Sequence, residues 1–146
     1  MIQRIQSIFL LLAGAASLSL FGLPFATTPQ VVQGSTLFAD AAYRVQDQVG
    51  LMVLFGLAGV LAIGGIFLYK NRALQMRLSI FSIIATVLAI TFGIIYFMQN
   101  SQDIGNTAVN DGLGLYFPVA ALVFALLAYR FISKDDKLVK SMDRLR

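Results

Sequence analysis

From Val49 to Tyr69 the sequence reads VGLMVLFGLAGVLAIGGIFLY, with no charged residue anywhere in it. No other feature limits the fold so sharply. A helix needs about 20 residues, at about 1.5 Å each, to cross a hydrocarbon layer of about 30 Å, and inside that layer every backbone group must be bonded within the chain. Three further blocks have the same character, at about 5–23, 78–98 and 113–132. Only Arg130, near the end of the last block, interrupts them, and a long side chain so placed can snorkel to the interface. The expected fold is therefore an all-α integral membrane protein with four transmembrane helices in a single domain, 1–146. The composition agrees, because 58% of the residues are hydrophobic and 12% charged. A soluble domain of this length needs more charge than that to cover its surface.

The first block has a competing reading as a cleaved secretory signal, for which Arg4 and the small residues Ala13 to Ser17 are suitable. Its apolar run is longer than a signal core, and no small-x-small site follows before Pro24 and Pro29, so an uncleaved helix is the expectation. Orientation follows from the cations. Arg4, then Lys70, Arg72 and Arg77, then Arg130, Lys134, Lys137, Lys140, Arg144 and Arg146 all fall on one side of the four spans. Only Arg44 falls on the other. This places both termini, the 70–77 link and the 133–146 tail in the cytoplasm, and the 24–48 and 99–112 loops outside. Tyr43, Tyr69, Tyr96, Tyr116 and Tyr129 lie at or just beyond the expected helix ends, as an interfacial belt requires. The net charge of +4 is thus a topology signal, and no nucleic-acid partner is expected.

The residues that are missing exclude much chemistry. Without cysteine or histidine there are no disulfides, thiolate metal sites or imidazole bases. No catalytic, metal or cofactor-binding residue is expected, and the chain is read as a non-enzyme. No carboxylate lies near a midplane, which argues against a coupled transporter. Asp40, Arg44 and Asp47 form the best acidic cluster, and their plain reading is a helix entry with Asp40 capping the turn into the second helix. Ala85, Ala89 and Gly93 recur every fourth residue as a helix-packing stripe, flanked by Ser82 and Thr86. That stripe can face the other three helices or another membrane protein. Pro118 is read as a bend inside the fourth helix. The stretch 24–48 reads as a polar, turn-rich loop without a recognisable motif, and 99–112 as a solvated turn.

The ending ISKDDKLVKSMDRLR is more specific. Ser133 and Asp136 have capping-box spacing, and Asp136 can pair with Lys140 one turn on. Lys137, Leu138, Lys140, Met142, Arg144, Leu145 and Arg146 would then form a short amphipathic helix for the inner leaflet, its anionic headgroups or a protein partner. A frayed, solvated tail is the alternative.

Three stretches, MIQRIQSIFLLLA, YKNRALQMRLS and KDDKLVKSMDRLR, together resemble the bacterial membrane proteins grouped as domain of unknown function 4293, seen in Bacteroidetes. The resemblance implies a small four-helix protein of the bacterial inner membrane and carries no activity or site residue with it. The expected role is a non-enzymatic scaffold, accessory subunit or assembly factor that contacts the bilayer, a membrane-protein partner or a second copy of itself. The alternative is a small-solute transporter or pore without an embedded charge.

Overall fold

A computed structural model describes residues 2–32, 34–105 and 107–143. Four helices dominate: α1 Ile2–Ser19, α2 Val49–Phe67, α3 Arg72–Asn100 and α4 Phe117–Asp143. α1 packs on α2 and α4, and α3 packs on the same two, so the helices form a ring of antiparallel neighbours.

The ring follows from a spacing that all four helices share. Buried residues recur alternately four and three apart: Gln6, Leu10, Ala13 and Ser17 along α1, with Leu20 just past its end; Leu51, Phe55, Ala58, Ala62 and Gly65 along α2; Gln75, Ser79, Ser82, Thr86 and Ala89 along α3; Ala121, Ala125, Ala128, Ile132 and Asp135 along α4. A repeat of 3.5 keeps one seam facing its neighbours along the whole helix. At mid-height the seams hold only small residues: Ala13 and Ser17, Ala58 and Ala62, Ser82 and Thr86, and Ala121 and Ala125. Ala13, Ala62 and Ala125 cluster there, and Ser82 Oγ donates to the carbonyl of Ala58 at 2.8 Å. Such small residues let the backbones approach closely: a Cβ added to Gly59 would stand 2.7 Å from Leu18 Cγ, and one on Gly14 would lie 3.2 Å from the carbonyl oxygen of Gly59. The bulky side chains point the other way. Ile8, Leu11, Val53, Val60, Phe81, Leu88, Val123 and Leu126 are all exposed on the outside of the ring.

Three of the helical stretches, Val49–Phe67, Arg72–Asn100 and Leu113–Ser141, are long and apolar enough to cross a membrane. The described apolar part of α1, Ile5–Ser19, is shorter. Several boundaries differ from the sequence reading. α1 stops at Ser19 rather than Leu23, because Leu20–Gly22 turn away ahead of Pro24. α3 starts at Arg72, so the 70–77 link shrinks to a tight turn at 68–71. Pro118 marks no internal bend; it lies in the first turn of α4, where a missing N–H costs nothing. The tail is not a separate capped helix, because α4 runs unbroken through Ser133 to Asp143. No glycine or proline lies between Pro118 and Asp143 to stop it.

The two loops at the opposite end are one structure. β1 (Ala26–Thr27) pairs antiparallel with β2 (Ala42–Tyr43) of its own loop and with β3 (Asn110–Asp111) of the other. Phe25, Leu37, Phe38, Tyr43, Val45 and Ile104 fill a small core beneath this sheet and join it to Leu20, Leu51, Phe55 and Ala89. The expectations of a polar, turn-rich loop at 24–48 and a solvated turn at 99–112 are corrected accordingly, since the two share a sheet and a core. Gly112 N–H donates to the carbonyl of Phe25 and Gly114 N–H to that of Pro24, each at 2.9 Å. A Cβ at Gly114 would sit 2.6 Å from Pro24 O, so the close approach requires glycine there.

Candidate functional site

The other end of the ring collects the charge. α2 ends at Phe67, and the chain turns through 68–71 to Asn71, whose Oδ1 accepts from Leu74 N–H at 3.1 Å to cap α3. The next residue, Arg72, reaches across to α4, placing Nε 3.1 Å from Asp135 Oδ2. Asp135 is there because the seam of α4 continues past Ile132 in the same spacing. Its side chain is 12% exposed, and its Oδ2 finds no hydrogen bond of good geometry among the described residues. The pair is held by charge at short range rather than by a well-aligned bond. Gln6 and Gln75, both buried, line the adjoining seams, and Gln6 Nε2 donates to the carbonyl of Phe131 at 3.2 Å. A polar layer therefore closes the ring at this end.

Outside that layer an open groove of about 550 Å³ is lined by Tyr69, Lys70, Asn71, Arg72, Ala73 and Asp136. Lys70 Nζ stands 6.0 Å from the centre of the Tyr69 ring. Asp136 Oδ2 accepts from Lys140 Nζ at 2.6 Å, which is the one-turn pairing expected from the sequence. Lys137, Leu138 and Lys140 are exposed on the part of α4 that projects past the ring. The side chain of Met142, and Arg144, Leu145 and Arg146 entire, lie outside the described residues.

The packing stripe faces inward. Ala85 and Ala89 are buried, and a Cβ on Gly93 would touch Leu51 Cδ2 of α2 at 3.4 Å. The cluster in the first loop is arranged differently from a helix entry. Gln48, not Asp40, occupies the N-cap of α2, and residues 40–44 are not helical. Asp47 Oδ2 accepts from Arg44 N–H at 2.6 Å, while Asp40 and Arg44 form a long, half-exposed ion pair at 4.0 Å. Burial raises the Asp47 carboxyl above the usual carboxylate range, against the opposing pull of the Arg44 N–H. Tyr43 is no interfacial tyrosine; it is buried and donates its hydroxyl to the Gly93 carbonyl at 3.3 Å. Burial foremost, with Tyr96 and Asp47 nearby, keeps that phenol protonated well beyond its ordinary range. Among the described residues no three acidic, histidine or cysteine side chains gather in a way that could hold a metal ion.

The family model described as Domain of unknown function (DUF4293) matches residues 2–145, and so spans all four helices, the cap formed by the β1–β3 sheet and its small core, and the charged end. The chain belongs to this family. No curated protein and no solved structure matches it. In this DUF4293 protein the sequence reading missed the polar layer. Gln6 and Gln75 carried a usable signal, because each opens a four-three series of small and apolar residues that ends in the bundle core. The Arg72–Asp135 pair had no such signal, since 63 positions separate its members (135 − 72).

Proposed function

We propose that this DUF4293 protein is a multi-pass protein of the bacterial inner membrane, with both termini in the cytoplasm, acting as a non-enzymatic scaffold, accessory subunit or assembly factor. The observation that carries the reading is the distribution of side chains. Large apolar groups face outward along all four helices, while at mid-height the interior is filled by small residues, with Leu10 and Ile132 buried towards one end and Leu51 and Phe55 towards the other. In water that outer surface would be one continuous apolar patch, whereas in lipid it is simply solvated. α1, at 18 residues, measures about 27 Å and suits the same layer as its neighbours. The basic end, with Lys70, Arg72, Arg77, Arg130, Lys134, Lys137 and Lys140, supports a cytoplasmic placement.

The filled interior favours a structural role over a solute path. Ser17, Ser79 and Thr86 each bond to a carbonyl four residues back on their own helix, and Ser82 bonds to α2. Their hydroxyls are occupied by carbonyls of the protein. Reporter fusions after Gly34, Asn71, Gly105 and Arg146 should read outside, inside, outside and inside. An outside signal at the last position overturns the orientation. Mild-detergent purification of crosslinked native membranes should yield this protein with a partner or as an oligomer, and a strictly monomeric species counts against the scaffold role.

A further inference from the structure

We propose that the groove beside the α2–α3 turn holds the headgroup of a membrane phospholipid bearing a primary ammonium, of the phosphatidylethanolamine type. The proposal rests on the membrane reading above and adds a ligand to it. The groove opens at headgroup depth. Phe67, 76% exposed, ends the apolar face of α2, and Tyr69, half exposed, follows it, which is the order in which acyl chains give way to headgroups.

The walls of the groove carry opposite charges. On one side stand Lys70 and Arg72. Lys70 has no carboxylate within ion-pair range among the described residues, and Arg72 commits only Nε to Asp135, leaving its two terminal nitrogens as donors. On the other side stands Asp136, whose Oδ2 is taken by Lys140 while Oδ1 keeps its acceptor capacity. A phosphate set against Lys70 and Arg72, with an ammonium two carbons away set against Asp136, matches both walls together. The volume of about 550 Å³ lies within the usual range for small-ligand sites.

The same walls discriminate between headgroups. A glycerol headgroup on a phosphate brings net negative charge and no ammonium, so its hydroxyls can donate to Asp136 but leave that carboxylate's charge uncompensated beside an anion. A choline headgroup has the positive charge but no N–H to donate. Only the primary ammonium gives Asp136 an opposite charge and a hydrogen bond together.

The test places the full-length protein in nanodiscs of mixed ethanolamine, choline and glycerol phospholipids, and native mass spectrometry then counts the lipids it retains. Retention of the ethanolamine lipid should exceed that of the choline lipid by about fivefold, the order expected for one charge-assisted hydrogen bond that is partly open to water. D136N should abolish that preference. K140Q, which frees the second carboxylate oxygen, should preserve or strengthen it. K70Q should lower retention of all three lipids without changing their ratio. Equal retention of ethanolamine and choline lipids, a preference for the glycerol lipid, or an unchanged preference in D136N each overturns the site. A protein that does not enter the bilayer sinks the membrane reading as well, whereas one that enters without preference sinks only the headgroup site.

Discussion

Ala58→Leu is expected to destabilise the bundle by about 3 kcal/mol, the upper part of the range for overpacking a closely packed interior. Ala58 is fully buried at mid-height, its carbonyl receives the Ser82 hydroxyl, and the seams around it are lined by small side chains with few flexible atoms to withdraw. Three added carbons have nowhere to go unless the helices separate. Separation would expose that carbonyl bond and undo the approach of Gly14 to Gly59, the residue next to Ala58. Reversible unfolding in mixed micelles, followed by circular dichroism, measures the effect. Val60→Leu is the matched control, because Val60 points outward at 63% exposure and should change stability by only a few tenths of a kcal/mol. Near-equal stability of the two variants would show that the centre is loosely packed and would remove the argument from small residues.

The second large effect concerns the Arg72–Asp135 pair. Asp135→Leu alone should cost about 2 kcal/mol, which is below the usual figure for breaking a buried pair because Arg72 is one-quarter exposed and can turn towards water. Arg72→Met alone should cost a similar amount, since it strands a carboxylate whose Oδ2 already lacks a well-aligned donor. The double variant should recover most of the loss, because two apolar side chains of similar volume restore packing without an unmatched charge. A double-mutant cycle under the same unfolding conditions measures the coupling. Additive losses would mean that the two residues do not act on each other and that their 3.1 Å approach contributes nothing to stability.

Most of the architecture was legible because a long apolar helix announces itself by length and composition, which are local properties. The four blocks and the clustering of cations are of that kind. Helix limits were less legible. Arg72 to Arg77 read as a link because their charge hides helix-compatible residues behind Asn71, a cap that forms only once the turn exists. Pro118 looked like a bend because a proline inside an apolar block and a proline at a helix start have the same sequence signature until the start is known. The cap escaped for a different reason. Its strands are two residues long and pair across loops that lie far apart in the chain, so no periodicity could mark them. Phe25, Leu37, Phe38 and Val45 were nonetheless visible as apolar residues in a loop read as polar and turn-rich. The seam was only half seen. Ala85, Ala89 and Gly93 suggested a period of four, whereas the buried series from Gln75 to Ala89 keeps 3.5 and brings in the polar residues Ser79, Ser82 and Thr86.

The bonds from Phe25 and Pro24 to Gly112 and Gly114 also bear on cooperativity. From Pro24 to Gly114 is 90 positions (114 − 24), and joining points so far apart carries an entropy of closure that depends only weakly on length. α4 meets α1 just beyond those bonds. The same closure therefore serves two interfaces, the strand pairing of the cap and the helix pairing of α1 with α4, and its entropy is incurred once for both. Loosening either interface returns that cost to the other. The small sheet at one end thus works as a clasp, tying the first and last helices into a single melting unit despite their separation along the chain.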